Sequence, residues 1–223
     1  MKASIVKVIY RPVIKSAARS ALIGRNRDFS DLERGRFSSK DVDLILKQVW
    51  KEYDQLAPSA PVMQKFGNQM NVMLACVTYA CFQVLLDKGI NRDYAIELIG
   101  DVAWKVYKKW SRLAMFFSRL RTRDPKQQLR QSVKLFLRFP FTPPAYQFKL
   151  TESDQGISLD MLKCPVAEYF HRQNATDLCI GTWCNLDFPL AEMWGGRLER
   201  SKTLAAGCDR CDFRFRIQSA NKL

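Results

Sequence analysis

The sequence of 223 residues contains a single histidine, His171. Any Cys–His nucleophile pair would have to use this residue, and the polar stretch 171–174 favours a position on the surface instead. The chain also lacks a long unbroken apolar run. The most apolar stretch, residues 71–86, is interrupted by Thr78 and Gln83 and is too short to span a bilayer comfortably. We therefore expect it to form a buried helix.

No secretory signal is visible, because residues 1–23 have neither an unbroken apolar core nor a small-residue cleavage site. The chain has seven cysteines, an odd number. Without an export signal, this favours reduced thiols or a metal site over disulfides. We expect a cytoplasmic protein. There is no internal repeat and no low-complexity tract.

Acidic residues are too few to balance the basic ones: 22 Asp and Glu stand against 36 Lys and Arg, which gives a net charge of +14. Such a charge favours an anionic partner: nucleic acid, an acidic lipid surface or an anionic small molecule. Residues 105–138 form a basic block that only Asp124 opposes. No nucleic-acid recognition motif accompanies this charge, which argues against nucleic acid as the partner.

Aromatic and basic side chains alternate within that block. One interpretation is a helix that lies on an anionic membrane surface, which would put the protein at the inner face of the membrane. The other, which we favour, is that the aromatic side chains are core and the cations form a solvated face. The apolar side chains concerned are Trp104, Tyr107, Trp110, Met115, Phe116 and Phe117.

The apolar periodicity predicts an α+β protein in which a helix-rich N-terminal half packs with a small C-terminal antiparallel sheet and short helices. The chain divides into a basic N-terminal extension (1–37), a helical part (38–145) and a cysteine-rich α+β part (146–223) that forms one domain with the helical part. Within the extension, Pro12 would kink or end a helix. Longer helices are predicted over 38–56, 62–86, 92–120 and 125–137, short ones over 165–172 and between 176 and 193, and strands over 146–150, 156–162, 197–204 and 213–217.

Five of the seven cysteines fall in the last 60 residues. The spacing of Cys179, Cys184, Cys208 and Cys211 superficially resembles a four-thiolate zinc site, although knuckle turns usually carry two residues between their cysteines. The simplest alternative is that most of these thiols are small buried hydrophobes. Cys164 precedes a proline that starts a helix, where backbone N–H groups favour a thiolate. Cys184 lies one helical turn before Asp187.

Four runs of residues resemble a known family: 163–165, 178–187, 199–207 and 211–215. They are similar to the L-2-amino-thiazoline-4-carboxylic acid hydrolase family, with a good match over about residues 150–217. The C-terminal run resembles, more distantly, the small-molecule-binding domain named after 4-vinyl reductase. The resemblance implies an α+β fold and a hydrolase that opens a 2-aminothiazoline ring to an N-carbamoyl cysteine. The positions shared with the family motif are Cys164, Cys184, Asp187, Thr203, Gly207, Cys211 and Asp212.

Ring opening at an amidine-like carbon requires a nucleophile, a proton donor and a negative group near the cationic amidine. The candidate catalytic residues are Cys164, Cys184, Asp187, Cys211 and Asp212. Arg197, Arg200 and Lys202, with Thr203, are the candidates for binding a small anionic substrate.

Two alternatives stay open. The sequence requires no cofactor, but Cys164, Cys184 and Cys211 are candidate zinc ligands, with a metal-bound water as the nucleophile. Cys179 and Cys208 are outside the family pattern, which weakens the four-thiolate site. The second alternative is that the chain is not an enzyme but a small-molecule-binding or sensory protein. The sequence does not predict the oligomeric state.

Overall fold

A computed structural model describes residues 3–28 and 31–217. Residues 1–2 and 29–30 of the predicted N-terminal extension and residues 218–223 of the predicted C-terminal part lie outside the described residues. The first helix, α1 (Ala3–Leu22), continues through Pro12, so the prediction that Pro12 would end a helix is wrong. Pro12 lies on the exposed face of the helix, where water can satisfy the carbonyl that loses its backbone partner. The opposite face of α1 belongs to the core, with Val6, Tyr10 and Ile14 buried.

Helix α2 (Ser39–Leu56) begins with a complete capping box between Ser38 and Asp41. Asp replaces the usual Glu, yet its carboxylate still reaches the backbone N–H of Ser38 at 2.8 Å. The central helix is α3 (Phe66–Asp87), which is buried over most of its surface, as predicted. Among the described residues only α3 is long and apolar enough to cross a membrane, and 67% of its most apolar window is buried inside the protein.

Helix α4 (Arg92–Arg121) is the longest, and the side chain of Asn91 caps its start. Helix α5 (Pro125–Arg138) starts with the predicted cap and first-turn proline, Asp124 and Pro125. Helices α1 and α4 pack antiparallel. Tyr10 meets Trp110 near one end, and Arg25, just beyond α1, forms an ion pair with Asp101 in the first third of α4.

The C-terminal part contains four strands and three short helices. The strands β1 (Gln147–Ser153), β2 (Gly156–Lys163), β3 (Gly196–Glu199) and β4 (Cys211–Ile217) form one antiparallel sheet in the order β1-β2-β4-β3. The helices α6 (Pro165–Arg172), α7 (Thr176–Thr182) and α8 (Asp187–Met193) connect β2 to β3. The predicted α+β fold class is confirmed. The strand predicted over 197–204 ends at Glu199, because the residues after it form a capped 3-10 turn, Leu204–Ala206.

Two hydrophobic cores lie side by side. The first is built by α1 to α4 with α6 and α7. The second lies between the sheet and helices α5 and α8. The side chains of Cys164 and Leu204 pack against both cores. The boundary between the cores is therefore where the cysteine-rich segments come together.

A candidate active site between the two cores

Four cysteine side chains and one carboxylate line a single cavity of about 100 Å³ at this boundary. They are Cys164, Cys179, Cys184, Cys211 and Asp187. Most of the remaining wall is aromatic or aliphatic, which gives the thiols an environment of low polarity. The aromatic residues of the wall are Tyr107, Phe136, Phe141, Tyr146, Trp183, Trp194, Phe213 and Phe215.

Four of the five groups reach the cavity from the ends of different elements, and Cys179 reaches it from within α7. Cys164 joins β2 to α6, Cys184 starts the 3-10 turn after α7, and Cys211 is the first residue of β4. Asp187 begins α8, one helical turn beyond Cys184. Element ends are the positions from which side chains of distant segments can converge.

A close approach of α4 and α7 holds the Cys179 and Cys184 segment in place. Gly181 of α7 faces Ile96 of α4, and a Cβ added at Gly181 would lie 2.3 Å from Cγ2 of Ile96. The carbonyl oxygen of Gly181 lies 3.4 Å from the position of a Cβ at Gly100. The absence of side chains at these two glycines permits the helices to approach so closely.

Burial raises the pKa of Cys164, although backbone N–H groups of Ala167 and Val166 act in the opposite direction. The start of α6 thus supplies the donors that the sequence predicts for Cys164. Desolvation outweighs them, because a thiolate in an apolar wall loses more hydration than two N–H groups return. Cys164 is a protonated thiol at neutral pH.

Cys179 and Cys184 both line the cavity. The pKa of Cys179 is raised, first by its hydrogen bond with Cys184 and then by burial. Cys179 therefore keeps its proton. Burial also raises the pKa of Cys211 to about 12, against the hydrogen bond that its sulfur accepts from the N–H of Leu204 at 3.2 Å.

The carboxyl group of Asp187 has an unusually high pKa. Burial raises the pKa of its carboxyl group to about 7, and the charge of Arg200 limits the rise. The Arg200 side chain is itself 4% exposed. Its guanidinium lies over the rings of Phe188 and Phe213 at 4.9 and 5.7 Å. A carboxyl group with a pKa near the ambient pH can both give and take a proton.

Asp212, predicted as a catalytic residue, lies outside the cavity. Strand β4 alternates, so that Cys211 and Phe213 face the core and Asp212 faces away. Its carboxylate accepts hydrogen bonds from the backbone N–H groups of Ser201 and Lys202 at 2.9 and 2.6 Å and from the Ser201 hydroxyl. Burial alone would raise the pKa of Asp212, but these bonds lower it to about 2. Asp212 fixes the loop between β3 and β4.

The predicted substrate-binding residues do not line the cavity either. Arg197 is exposed on β3 and pairs with Glu199, and Lys202 is exposed and pairs with Asp209 at 3.5 Å. Thr203 caps the 3-10 turn by accepting from the N–H of Ala206. Of these four residues only Arg200 comes near the cavity, because it contacts Asp187 at 3.4 Å without lining the wall itself. Strand alternation and turn capping account for these positions.

Tyr107 of α4 is a cavity residue that the sequence marks only as one of the aromatic residues of the basic block. Burial raises its pKa, and the charge of Asp187 adds to the rise. The phenol therefore stays protonated among these groups. Trp183, next to Cys184 in sequence, also lines the cavity. The sequence signals for these two residues are weak: Tyr107 is an aromatic residue of the basic block, and Trp183 directly precedes Cys184.

Tyr107 and Trp183 also line a second cavity, of about 110 Å³, between α1, α2, α3, α4 and α7. Its wall is almost wholly aliphatic, with Val77, Leu98 and Val102 among the lining residues. The indole N–H of Trp183 is held by the hydroxyl of Thr78 at 3.3 Å. The two cavities therefore adjoin through an aromatic partition.

All seven cysteines are free thiols. Within residues 3–28 and 31–217, no three or more His, Cys, Asp or Glu side chains are grouped as a metal site requires. Zinc held by Cys164, Cys184 and Cys211 remains a prediction. His171 and Cys208 lie away from the cavity, and His171 is exposed at the end of α6, as its polar neighbours predict.

The sequence profile of the L-2-amino-thiazoline-4-carboxylic acid hydrolase family matches residues 69–215. The chain belongs to this family. The match covers the protein from α3 to β4 and so includes every polar group of the cavity. It extends the resemblance of the C-terminal segments into the helical half. None of the curated proteins matches the chain.

Proposed function

We propose that this aminothiazoline carboxylate hydrolase family member hydrolyses a cyclic amidine, with Cys184 as the nucleophile and Asp187 as the acid and base. The observation that carries the proposal is the convergence of Cys164, Cys184, Cys211 and Asp187 on one cavity. The family match supports the reaction class. The residue roles rest on the chemistry of the cavity.

Cys184 is preferred over the other thiols for two reasons. Burial keeps Cys164 and Cys211 protonated, and Cys179 holds its proton in the hydrogen bond with Cys184. The carbonyl of Cys184 accepts a hydrogen bond from Arg200 at 2.7 Å, which fixes the backbone beside the nucleophile.

In the first step the Cys184 sulfur bonds to the amidine carbon, and its proton passes to the ring nitrogen. The ring C–S bond then breaks, and the leaving sulfur takes the proton of Asp187. The substrate is now bound to the enzyme as an isothiouronium ion, opposite the Asp187 carboxylate. The thiols of Cys164 and Cys211 and the phenol of Tyr107 are hydrogen-bond donors for the sulfur that leaves.

In the second step water adds to the same carbon and gives one proton to Asp187. The intermediate collapses to a urea, the carbon–sulfur bond to Cys184 breaks, and the remaining hydroxyl proton returns to the Cys184 sulfur. One water molecule is consumed and both groups regain their protons. For an aminothiazoline carboxylate the product is an N-carbamoyl cysteine.

The wall of the cavity supports a cyclic amidine whose remaining substituents are mainly apolar. Arg197 and Lys202 are engaged at the surface, and Arg200 is committed to Asp187 and the Cys184 carbonyl. A small anionic substrate therefore has few cations to meet inside. Screening 2-aminothiazolines with and without a carboxylate measures this preference directly.

The test uses purified full-length protein, 2-amino-thiazoline-4-carboxylate and its decarboxylated analogue, with product detection by mass spectrometry. Cys184→Ala should abolish turnover. Cys208→Ala is the matched control, because Cys208 also belongs to the cysteine-rich C-terminal part but lies outside the cavity. Ligand binding without turnover, unaffected by Cys184→Ala, would support the sensory alternative instead. Zinc that co-purifies in a one-to-one ratio and is lost in Cys164→Ala would support the metal alternative.

A further inference from the structure

Eight large apolar side chains are exposed where α1 begins and α4 ends. Positions 110, 113, 117 and 120 are spaced by three or four residues and lie along one side of α4, and Leu120 is 68% exposed. Because α1 and α4 are antiparallel, the beginning of α1 lies beside this half of α4. We call these eight the apolar edge: Ile5, Val8, Ile9, Trp110, Leu113, Phe116, Phe117 and Leu120.

The large apolar residues of the basic block divide between two environments. Trp104, Tyr107 and Met115 pack against the second core, whereas Trp110, Phe116 and Phe117 are exposed. The interpretation that all of them are core holds for the first group only. The apolar edge is therefore a surface without a partner among the described residues.

Basic side chains of α4 and of the turn after it flank the apolar edge. Arg19, Arg25 and Lys126 each form ion pairs with carboxylates elsewhere on the protein. By contrast, seven basic residues of α4 and the turn after it form no ion pair within residues 3–28 and 31–217, and six of the seven are exposed. They are Lys105, Lys108, Lys109, Arg112, Arg119, Arg121 and Arg123.

We propose that the apolar edge and these seven cations bind the surface of an anionic lipid bilayer. The apolar side chains would enter the boundary between headgroups and acyl chains, and the cations would meet the lipid phosphates and carboxylates. Tryptophan and phenylalanine suit this boundary, because they combine a large apolar area with few rotatable bonds. The proposal concerns where the protein works and is independent of its chemistry.

Two other occupants fit less well. A second copy of the chain would bring the same surface to both sides of a two-fold contact, so that the cations would face one another. Single-stranded nucleic acid requires aromatic platforms for its bases, whereas Ile5, Ile9, Leu113 and Leu120 are aliphatic. A bilayer matches both the aliphatic composition and the charge.

The experiment measures partition of the full-length protein into vesicles of phosphatidylcholine with and without 30 mol% phosphatidylserine. We expect binding to the anionic vesicles that is at least tenfold stronger than to neutral ones and that weakens at about 0.5 M salt. Equal binding to both vesicle types would overturn the proposal. Sedimentation velocity without lipid, and titration with single-stranded DNA, test the other occupants. Binding to either of these in place of vesicles would also overturn it.

Two pairs of variants separate the apolar from the charged contribution. Phe117→Ser with Leu120→Ser should weaken partition at least tenfold and leave its relative salt dependence unchanged. The matched control is Leu44→Ser with Val62→Ser, two exposed apolar side chains far from the apolar edge in sequence. An equal loss in this control would contradict a dedicated surface.

Lys109→Gln, Arg112→Gln and Arg119→Gln together should weaken partition into anionic vesicles at least tenfold, since each cation near such a surface contributes about fivefold. The salt dependence should fall as well. Lys47→Gln with Lys51→Gln on α2 is the charge control and should have the smaller effect. A loss that is no larger than in the control would count against the proposal.

A fluorescence measurement on the unmodified protein and one conservative variant guards against variants that fail to fold. Brominated phosphatidylcholine quenches tryptophans that reach the acyl chains. In mixed anionic vesicles we expect Trp110 to be quenched, so that Trp110→Phe loses most of the quenching while the other four tryptophans remain. Binding without quenching of Trp110 would mean that another surface meets the lipid.

Discussion

The Nη1 atom of Arg200 lies 3.4 Å from Oδ2 of Asp187 and 2.7 Å from the carbonyl oxygen of Cys184. One buried cation therefore orients both the proposed acid and the backbone of the proposed nucleophile. The arrangement ties three segments of the chain to the same corner of the cavity. It also makes the proton affinity of Asp187 depend on a residue that does not line the cavity.

Replacement of Asp187 by Asn should lower kcat by about 10²- to 10⁴-fold, the usual contribution of a general acid–base group. Because the pKa of Asp187 is raised to about 7, the rate should titrate near neutral pH in the unmodified protein and lose that titration in Asp187→Asn. The measurement is the pH dependence of kcat between pH 5 and 9. A profile that keeps its transition near pH 7 in the variant would exclude this role.

The same carboxyl group should make stability depend on pH in a defined direction. Its pKa is about 7 in the folded state and about 4 in an unfolded chain, so the folded state binds the extra proton between these values. The free energy of unfolding therefore falls as the pH rises from about 4 to 7 and changes little above. At about 1.4 kcal/mol per pKa unit, the upper bound is about 4 kcal/mol.

Urea denaturation at several pH values measures this effect as the difference between the protein and Asp187→Asn. Asp212→Asn is the opposing control. The pKa of Asp212 is lowered to about 2, so its contribution is present above about pH 4 and is lost as the pH falls toward 2. Parallel pH dependence in the two variants would contradict both assignments.

Arg200→Gln should move the titration of Asp187 to higher pH, because the charge of Arg200 now holds that pKa down. The variant should also lose about 1–3 kcal/mol of stability, since the guanidinium packs over Phe188 and Phe213. Arg197→Gln is the matched control, as its side chain is 66% exposed. A pH profile that does not shift in Arg200→Gln would show that Asp187 is not the titrating group.

Gly181→Ala should destabilise the protein by about 1–3 kcal/mol, because the new methyl group overlaps Cγ2 of Ile96. It should also reduce turnover, because Cys179 and Cys184 flank the displaced position. Adding Ile96→Ala removes the overlapping atom and should restore part of the activity. Thermal unfolding and turnover of the three variants form a double-mutant cycle. Additive losses would rule out the proposed contact.

Helices and strands were predictable where caps and periodicity agree, as in α5, whose cap and first-turn proline stand in the sequence, and in β4, whose alternation is regular. The site was predictable only in part. Cys164, Cys184, Cys211 and Asp187 do share a cavity. Asp212 could have been set aside, because adjacent residues of a strand face opposite sides and Cys211 faces the core.

Other features depend on tertiary packing that local pattern does not encode. Tyr107 and Phe116 belong to the same stretch of α4, yet one lines the cavity and the other is exposed. Which side of α4 is covered depends on where α5 and the sheet dock. Likewise, Pro12 is tolerated inside α1 because of the side it occupies, which only the packing of α1 defines.

Cys164 and Leu204 contact both hydrophobic cores, and the cavity lies between them. A molecule bound there would contact both cores at once. Occupancy should therefore raise the melting temperature of the whole protein, because a ligand that binds only the folded state stabilises it.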